Sequence, residues 1–150
     1  MSLSIFSDDF FMREALKEAQ YAYEKDEVPV GAVIVANQRI IARAHNLTEL
    51  LNDVTAHAEM QAITASANYL GGKYLDECTL YVTLEPCTMC AGALNWAQIK
   101  KVVYGASDEK RGAVKQKIHL LHPKTEVVGG ILQEECSQIL KAFFLKKRLN

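Results

Sequence analysis

The chain has 150 residues, enough to bury one sizeable core but too short for several domains. With 49% apolar and 23% charged residues it does not have the composition of a disordered chain, and no apolar stretch is long enough to span a membrane. The net charge of −1 conceals a division: residues 1–97 carry 6 Lys and Arg against 13 Asp and Glu, a balance of −7, whereas residues 98–150 carry 11 against 5, a balance of +6. Such a split fits either an anion-facing surface on the C-terminal part or scattered, solvated side chains.

Ser7 or Asp8 can cap a first helix running to about Lys25, with Met12, Ala15, Leu16, Ala19 and Tyr23 on its buried face. Pro29-Val30-Gly31 opens an apolar strand through Ala36, as expected where both faces are covered. Asn37-Gln38 is a short turn, and Arg39 to Ala44 is the paired strand of a hairpin. After a loop from His45 to Asp53, a helix is expected from Thr55 to about Asn68, broken by Gly71-Gly72. Thr79 to Leu84 has strand composition, and Pro86 suits the first turn of a helix reaching Gln98. Lys101 to Tyr104 is a short strand that Gly105 ends. Residues 106–124 give little pattern, Glu126 to Val128 is a short last strand, and Leu132 to Lys147 is a helix with Cys136, Ile139, Leu140 and Phe143 on one face. Strands alternating with helices imply an α/β sandwich with helices covering the sheet. One domain over 1–150 is expected. The leading residues include Asp8 and Asp9 and no basic region before an apolar run, so no secretory signal, a cytoplasmic location and reduced cysteines are expected.

Two segments carry the chemistry: Ala56-His57-Ala58-Glu59, and Glu85-Pro86-Cys87-Thr88-Met89-Cys90. Each is expected at a helix N-terminus. A spacing of three aims both sulfurs the same way, and the positive end of the helix favours thiolates. Two thiolates and a neutral His57 imidazole make three zinc ligands, which leave the fourth tetrahedral position for water, as in catalytic rather than structural sites. Zinc lowers the pKa of such a water to about 7, and a neighbouring carboxylate, Glu59, can carry its proton to a substrate. Taken separately, the cysteines could be a redox pair or half of a structural zinc site, His57 an ordinary histidine, and Glu59 a solvated charge. A redox pair leaves His57 and Glu59 unexplained, and Cys78 and Cys136 offer no second paired spacing. Cys136 is expected as a small core residue; His45, His119 and His122 are expected as structural or surface residues.

His-x-Glu followed by Pro-Cys-x-x-Cys is the signature of zinc nucleobase deaminases. Around it, Asp26-Glu27-Val28-Pro29-Val30-Gly31-Ala32-Val33, His45-Asn46, Tyr81-Val82-Thr83-Leu84 before Glu85, Ala91-Gly92-Ala93 and Val102-Val103-Tyr104-Gly105-Ala106 are similar to the bacterial tRNA-specific adenosine deaminases of the cytidine deaminase-like superfamily. That resemblance implies a three-layer α-β-α sandwich with a central mixed sheet of about five strands. It also implies one zinc ion per subunit of a homodimer, and conversion of adenosine to inosine at the wobble position of a tRNA anticodon loop. By resemblance, Asn46 hydrogen-bonds the base, Asp108 lies near the nucleotide's sugar, and Phe144 with Lys146-Lys147-Arg148 lies beside the anticodon loop. The backbone amides of Ala58 and Cys87 are expected to contribute near the site, and Ala58 is counted with Asn46, Asp108 and Phe144 among the substrate-binding residues. Sequence-specific RNA recognition through splayed bases, aromatic stacking and basic contacts agrees with this. Asn95-Trp96-Ala97-Gln98 departs from that pattern and looks more like the free guanine deaminases, and residues 112–125 are shortened and altered. A deaminase of free guanine or cytosine with the same metal site is therefore the alternative; a non-catalytic, zinc-stabilised RNA-binding module is the alternative of another class.

Overall fold

A computed structural model of the chain describes residues 6–114 and 120–150. Among these residues the order is α1 (Asp8–Glu24), β1 (Gly31–Ala36), β2 (Arg39–His45), α2 (Ala58–Leu70), β3 (Thr79–Leu84), α3 (Thr88–Ala97), β4 (Lys101–Ala106), β5 (Glu126–Val128) and α4 (Gln133–Leu149). The strands form one mixed sheet in the order β2-β1-β3-β4-β5. β1 runs antiparallel to β2 and β3, while β4 is parallel to both β3 and β5. Asn37 and Gln38, with φ of 51° and 62°, turn the β1–β2 hairpin in the left-handed geometry that matches strand twist.

Alternation along the strands divides the core in two. Ala32, Ile34, Leu80, Val82, Val102 and Tyr104 face one way and pack with Ala58 and Ala62 of α2 and Leu94 and Ala97 of α3. Val33, Val35, Tyr81 and Val103 face the other way and pack with Phe11, Met12 and Ala15 of α1 and Cys136 of α4. The result is the expected three-layer α-β-α sandwich, and the unbroken apolar runs follow from burial on both sheet faces.

Several boundaries differ from the sequence reading. Residue α2 begins at Ala58 rather than Thr55, because Asp53 Oδ1 accepts both the Thr55 N–H (2.8 Å) and its hydroxyl (2.7 Å), holding that segment in a turn. α3 begins at Thr88 with Cys87 as its N-cap, so Pro86 precedes the helix instead of opening it. Gly105 lies inside β4 rather than ending it: a Cβ there would come within 2.3 Å of Cys136 Sγ, so the glycine lets α4 pack against the strand. On α1, Ser7 is the N-cap and accepts from the Phe10 N–H at 3.1 Å, as expected. Glu14 and Glu18 are also buried on α1, outside the expected apolar face, where Arg43 (2.8 Å) and His45 (3.0 Å) of β2 pair with them. Cys136 is fully buried, as expected.

The pairing brings several chain segments to one end of the sheet. Gly31 opposes His45, so β2 ends where β1 begins, and Ala32 opposes Val82 near the end of the antiparallel β3. Leu84 is level with Ala106 across the parallel pair β3–β4. The residues following β2, β3 and β4 therefore leave from the same end, where open α/β sheets place their sites.

Candidate active site

His57 and Cys87 are the N-caps of α2 and α3, and Cys90 lies one turn into α3. His57 Nδ1 is 3.7 Å from Cys87 Sγ and 3.6 Å from Cys90 Sγ. A tetrahedral ion bonded to sulfur at about 2.3 Å and nitrogen at about 2.1 Å holds such ligands about 3.6 Å apart. The trio is the metal-competent group among the described residues, with all three ligand atoms within 4.8 Å of one another. Soft sulfur donors plus one imidazole fit zinc in both chemistry and spacing.

The electrostatics favour an anionic sulfur. A hydrogen bond from Cys90, then one from His57, pulls the Cys87 thiol down to about 3. Cys90, which donates to Cys87 and is more deeply buried, is pushed up, and His57 is raised chiefly by its hydrogen bond to Cys87. Glu59, in the first turn of α2, is 4% exposed. Burial lifts its carboxyl to about 7, and the charge of Cys87 adds to the lift. It interacts with Cys87, His57 and Cys90 yet stands outside the ligand trio.

Asn46 Oδ1 accepts the Ala58 N–H at 2.8 Å, tying the residue after β2 to the first turn of α2. The Ala58 amide is thus engaged by Asn46 through the side-chain oxygen, and the NH2 of that side chain is a separate donor. A cavity of about 430 Å³ is lined by two of the three ligand residues, His57 and Cys87, and by Val54, Met89, Lys110 and Arg111 among others. A larger cleft of about 780 Å³ adjoins it, sharing Lys110 and Arg111; Asp108, Phe144, Lys147 and Arg148 line it. Asp108 and Phe144 are thus brought together, apart from the metal-side residues. Asp108 Oδ1 accepts the N–H groups of Lys110 (3.1 Å) and Arg111 (3.0 Å), so this carboxylate shapes its own turn. Phe143 is buried and packs edge-to-face on Phe144 at 5.4 Å, while Phe144 is 45% exposed.

Two buried carboxylates escaped the sequence reading. Glu27 accepts the N–H groups of Glu49 (3.0 Å) and Leu50 (2.8 Å), and Glu85 those of Asp108 (3.0 Å) and Val114 (3.0 Å). Glu85 lay inside the motif already singled out; its signal was a charge at the end of an otherwise buried strand. His45 Nδ1 lies 3.0 Å from Glu18 Oε1 within the fold, and His122 Nδ1 accepts the Lys124 N–H, whereas His119 and part of the 112–125 stretch lie outside the described residues.

The MafB19-like deaminase family matches residues 6–148. The tRNA-specific adenosine deaminase of Bacillus subtilis is 50% identical over 146 residues, covering 94% of this chain and 91% of that protein. The chain belongs to the tRNA-specific adenosine deaminase family. A solved structure from a study of A-to-I editing by tRNA:A34 deaminases at the wobble position of transfer RNA superposes with a TM-score of 0.83 at 47% identity, covering 87% of this chain and 98% of that one. A guanine deaminase structure, also from Bacillus subtilis, is 41% identical, but its TM-score is 0.65 and the match covers 67% of this chain and 65% of that one. For a member of the tRNA-specific adenosine deaminase family, the His-Cys-Cys cluster with a buried glutamate beside it is the arrangement that the deaminase signature requires.

Proposed function

We propose that this protein, acting as one domain, deaminates adenosine to inosine at the wobble position of a tRNA anticodon loop, with zinc held by His57, Cys87 and Cys90. The observation that carries the reading is the convergence of His57 Nδ1 with both sulfurs beside the buried Glu59. Its agreement with relatives that keep the same length adds the substrate class.

Zinc when bound supplies a polarised water that is acidic enough to act near neutral pH. Glu59, buried beside the ligand trio, would move a proton from the attacking water to a ring nitrogen of adenine and so open C6 to attack. It would then move the remaining proton of that oxygen, now a hydroxyl on C6, to the departing amine, so that water and adenosine give inosine and ammonia. A carboxyl raised to about 7 by burial suits a group that must both accept and donate near neutral pH. Asn46 would orient the base through its side-chain NH2, and the cleft with Asp108 and Phe144 would take the flanking nucleotides. The base must leave its stack to enter, and an exposed aromatic beside basic residues suits a splayed loop.

No helix among the described residues is long and apolar enough to cross a membrane. A cytoplasmic location fits an enzyme acting on tRNA. Homodimer formation is supported by large apolar side chains left uncovered, Val54 and Trp96 at 84% exposure each.

The test is incubation with an arginine tRNA transcript bearing adenosine at the wobble position, in parallel with free guanine, cytosine and adenosine, and with Glu59→Ala as control. Inosine formed only with the transcript is expected. Ammonia from guanine with the transcript unchanged would move the protein to free-base chemistry and make Trp96 the informative residue. Zinc binding without turnover of any of these would leave a zinc-stabilised binding module.

A further inference from the structure

Both oxygens of Glu85 are committed to one loop. Oε1 accepts the Asp108 N–H and Oε2 the Val114 N–H, each at 3.0 Å, across 23 and 29 residues of chain. The side chain is 2% exposed, at the exit of β3 and two residues before the metal ligand Cys87. The same loop is stitched to that exit elsewhere: Cys87 bridges Gly112, and the Ala113 N–H donates to the Pro86 carbonyl at 2.9 Å. Gly112 fits only because it has no side chain, since a Cβ there would lie 2.4–2.5 Å from the Glu85 carboxylate atoms. Between the two anchored ends are Lys110 and Arg111, exposed side chains that line both the cavity at His57 and Cys87 and the adjoining cleft.

We propose that Glu85 is a positioning residue for substrate: its buried carboxylate sets the Asp108–Val114 loop and thereby fixes Lys110 and Arg111 at the mouth of the metal pocket, as cations for the phosphates flanking the target nucleotide. The inference rests on the RNA-deaminase reading above. A carboxylate is required here because it is acceptor-only; the amide of Gln would turn an N–H toward one of the two loop N–H groups whichever way it sat. Leaving buried N–H groups unpaired frees the loop, and a misplaced binding group weakens substrate capture more than it slows chemistry at a metal site that is still intact.

The experiment compares wild type with Glu85→Gln and Gly112→Ala, using an anticodon stem-loop RNA with adenosine at the wobble position. Zinc per chain is measured, together with the rate of the first tryptic cut after Lys110 or Arg111, read by mass spectrometry. For both variants KM should rise about tenfold while kcat falls less than about threefold. The tryptic cut should be faster by a similar factor, with zinc content as in wild type. In Glu85→Ala/Gly112→Ala the added methyl occupies space the carboxylate has left, so the double variant should be no worse than Glu85→Ala alone. Unchanged KM and unchanged cleavage in either folded variant would overturn the proposal, as would loss of zinc with the loop still protected. If wild type fails to edit the stem-loop, the functional reading falls, and the cleavage rate still decides whether Glu85 holds the loop.

Discussion

Glu59 and Glu85 are both buried glutamates near the metal ligands, yet only the first could be read from the chain. Glu59 stands two residues from His57 within a recognisable spacing, whereas the partners of Glu85 and Glu27 are backbone N–H groups, which every residue has and no sequence pattern marks. Replacing Glu59 by the isosteric Gln should lower kcat by about 10²–10⁴ while zinc per chain stays at the wild-type level, as metal analysis and turnover measured on one sample would establish. Glu14 makes a second prediction. Hydrogen bonding to Lys17 lowers its carboxyl from the usual 4.5, and Arg43 adds to the effect. A lowered folded-state pKa means the stabilisation is present above pH 4.5 and is lost as pH falls through the folded value. Both cations are largely solvated, so the pair is worth about 0.5–1 kcal/mol. Stabilities of Glu14→Gln and wild type from thermal melts should differ by that amount at pH 6 and converge as pH falls below 4.5 and through the lowered folded-state value.

Glycine was misread at the level of elements. In sequence Gly105 looks like a stop, since a glycine after a short apolar run commonly ends a strand; its cause is instead the approach of α4 to β4. Gly105→Ala should cost about 1–3 kcal/mol by overpacking, because the added methyl meets Cys136 Sγ at 2.3 Å and Thr83 O at 3.0 Å. Denaturant unfolding would measure this, and Cys136→Ala in the same chain should recover part of the loss. Helix starts were shifted for a related reason. Asp53 and Pro86 each signal a beginning nearby, but the turns they favour precede His57 and Cys87, which take the cap positions themselves. Helix existence and the strand runs were legible because periodicity and β-branched composition act locally; cap positions depend on the turns that precede each helix, as the Asp53–Thr55 turn does for α2.

For the whole molecule, layer number followed from continuous apolar strands, but the strand order did not, since alternation tells which residues are buried and not which strand lies alongside. Of the basic residues in the C-terminal part, Lys110, Arg111, Lys147 and Arg148 line the cleft beside the metal pocket, together with Asp108 and Glu109. If these cations meet RNA phosphates, affinity for the stem-loop should fall roughly 20- to 50-fold between 50 and 200 mM salt, and replacing Arg148 with Ala should flatten that dependence. Filter binding across a salt series would read both. The two apolar clusters carry one more implication. Neither includes His57, Cys87 or Cys90, although Cys90 is itself buried, so most of the packing between the sheet and both helical layers comes from groups that need no ion. Unlike small domains whose folding waits on metal, this chain would mature in two stages, first packing and then loading. A cell starved of zinc would accumulate an intact but idle enzyme, ready to be switched on by resupply without new synthesis.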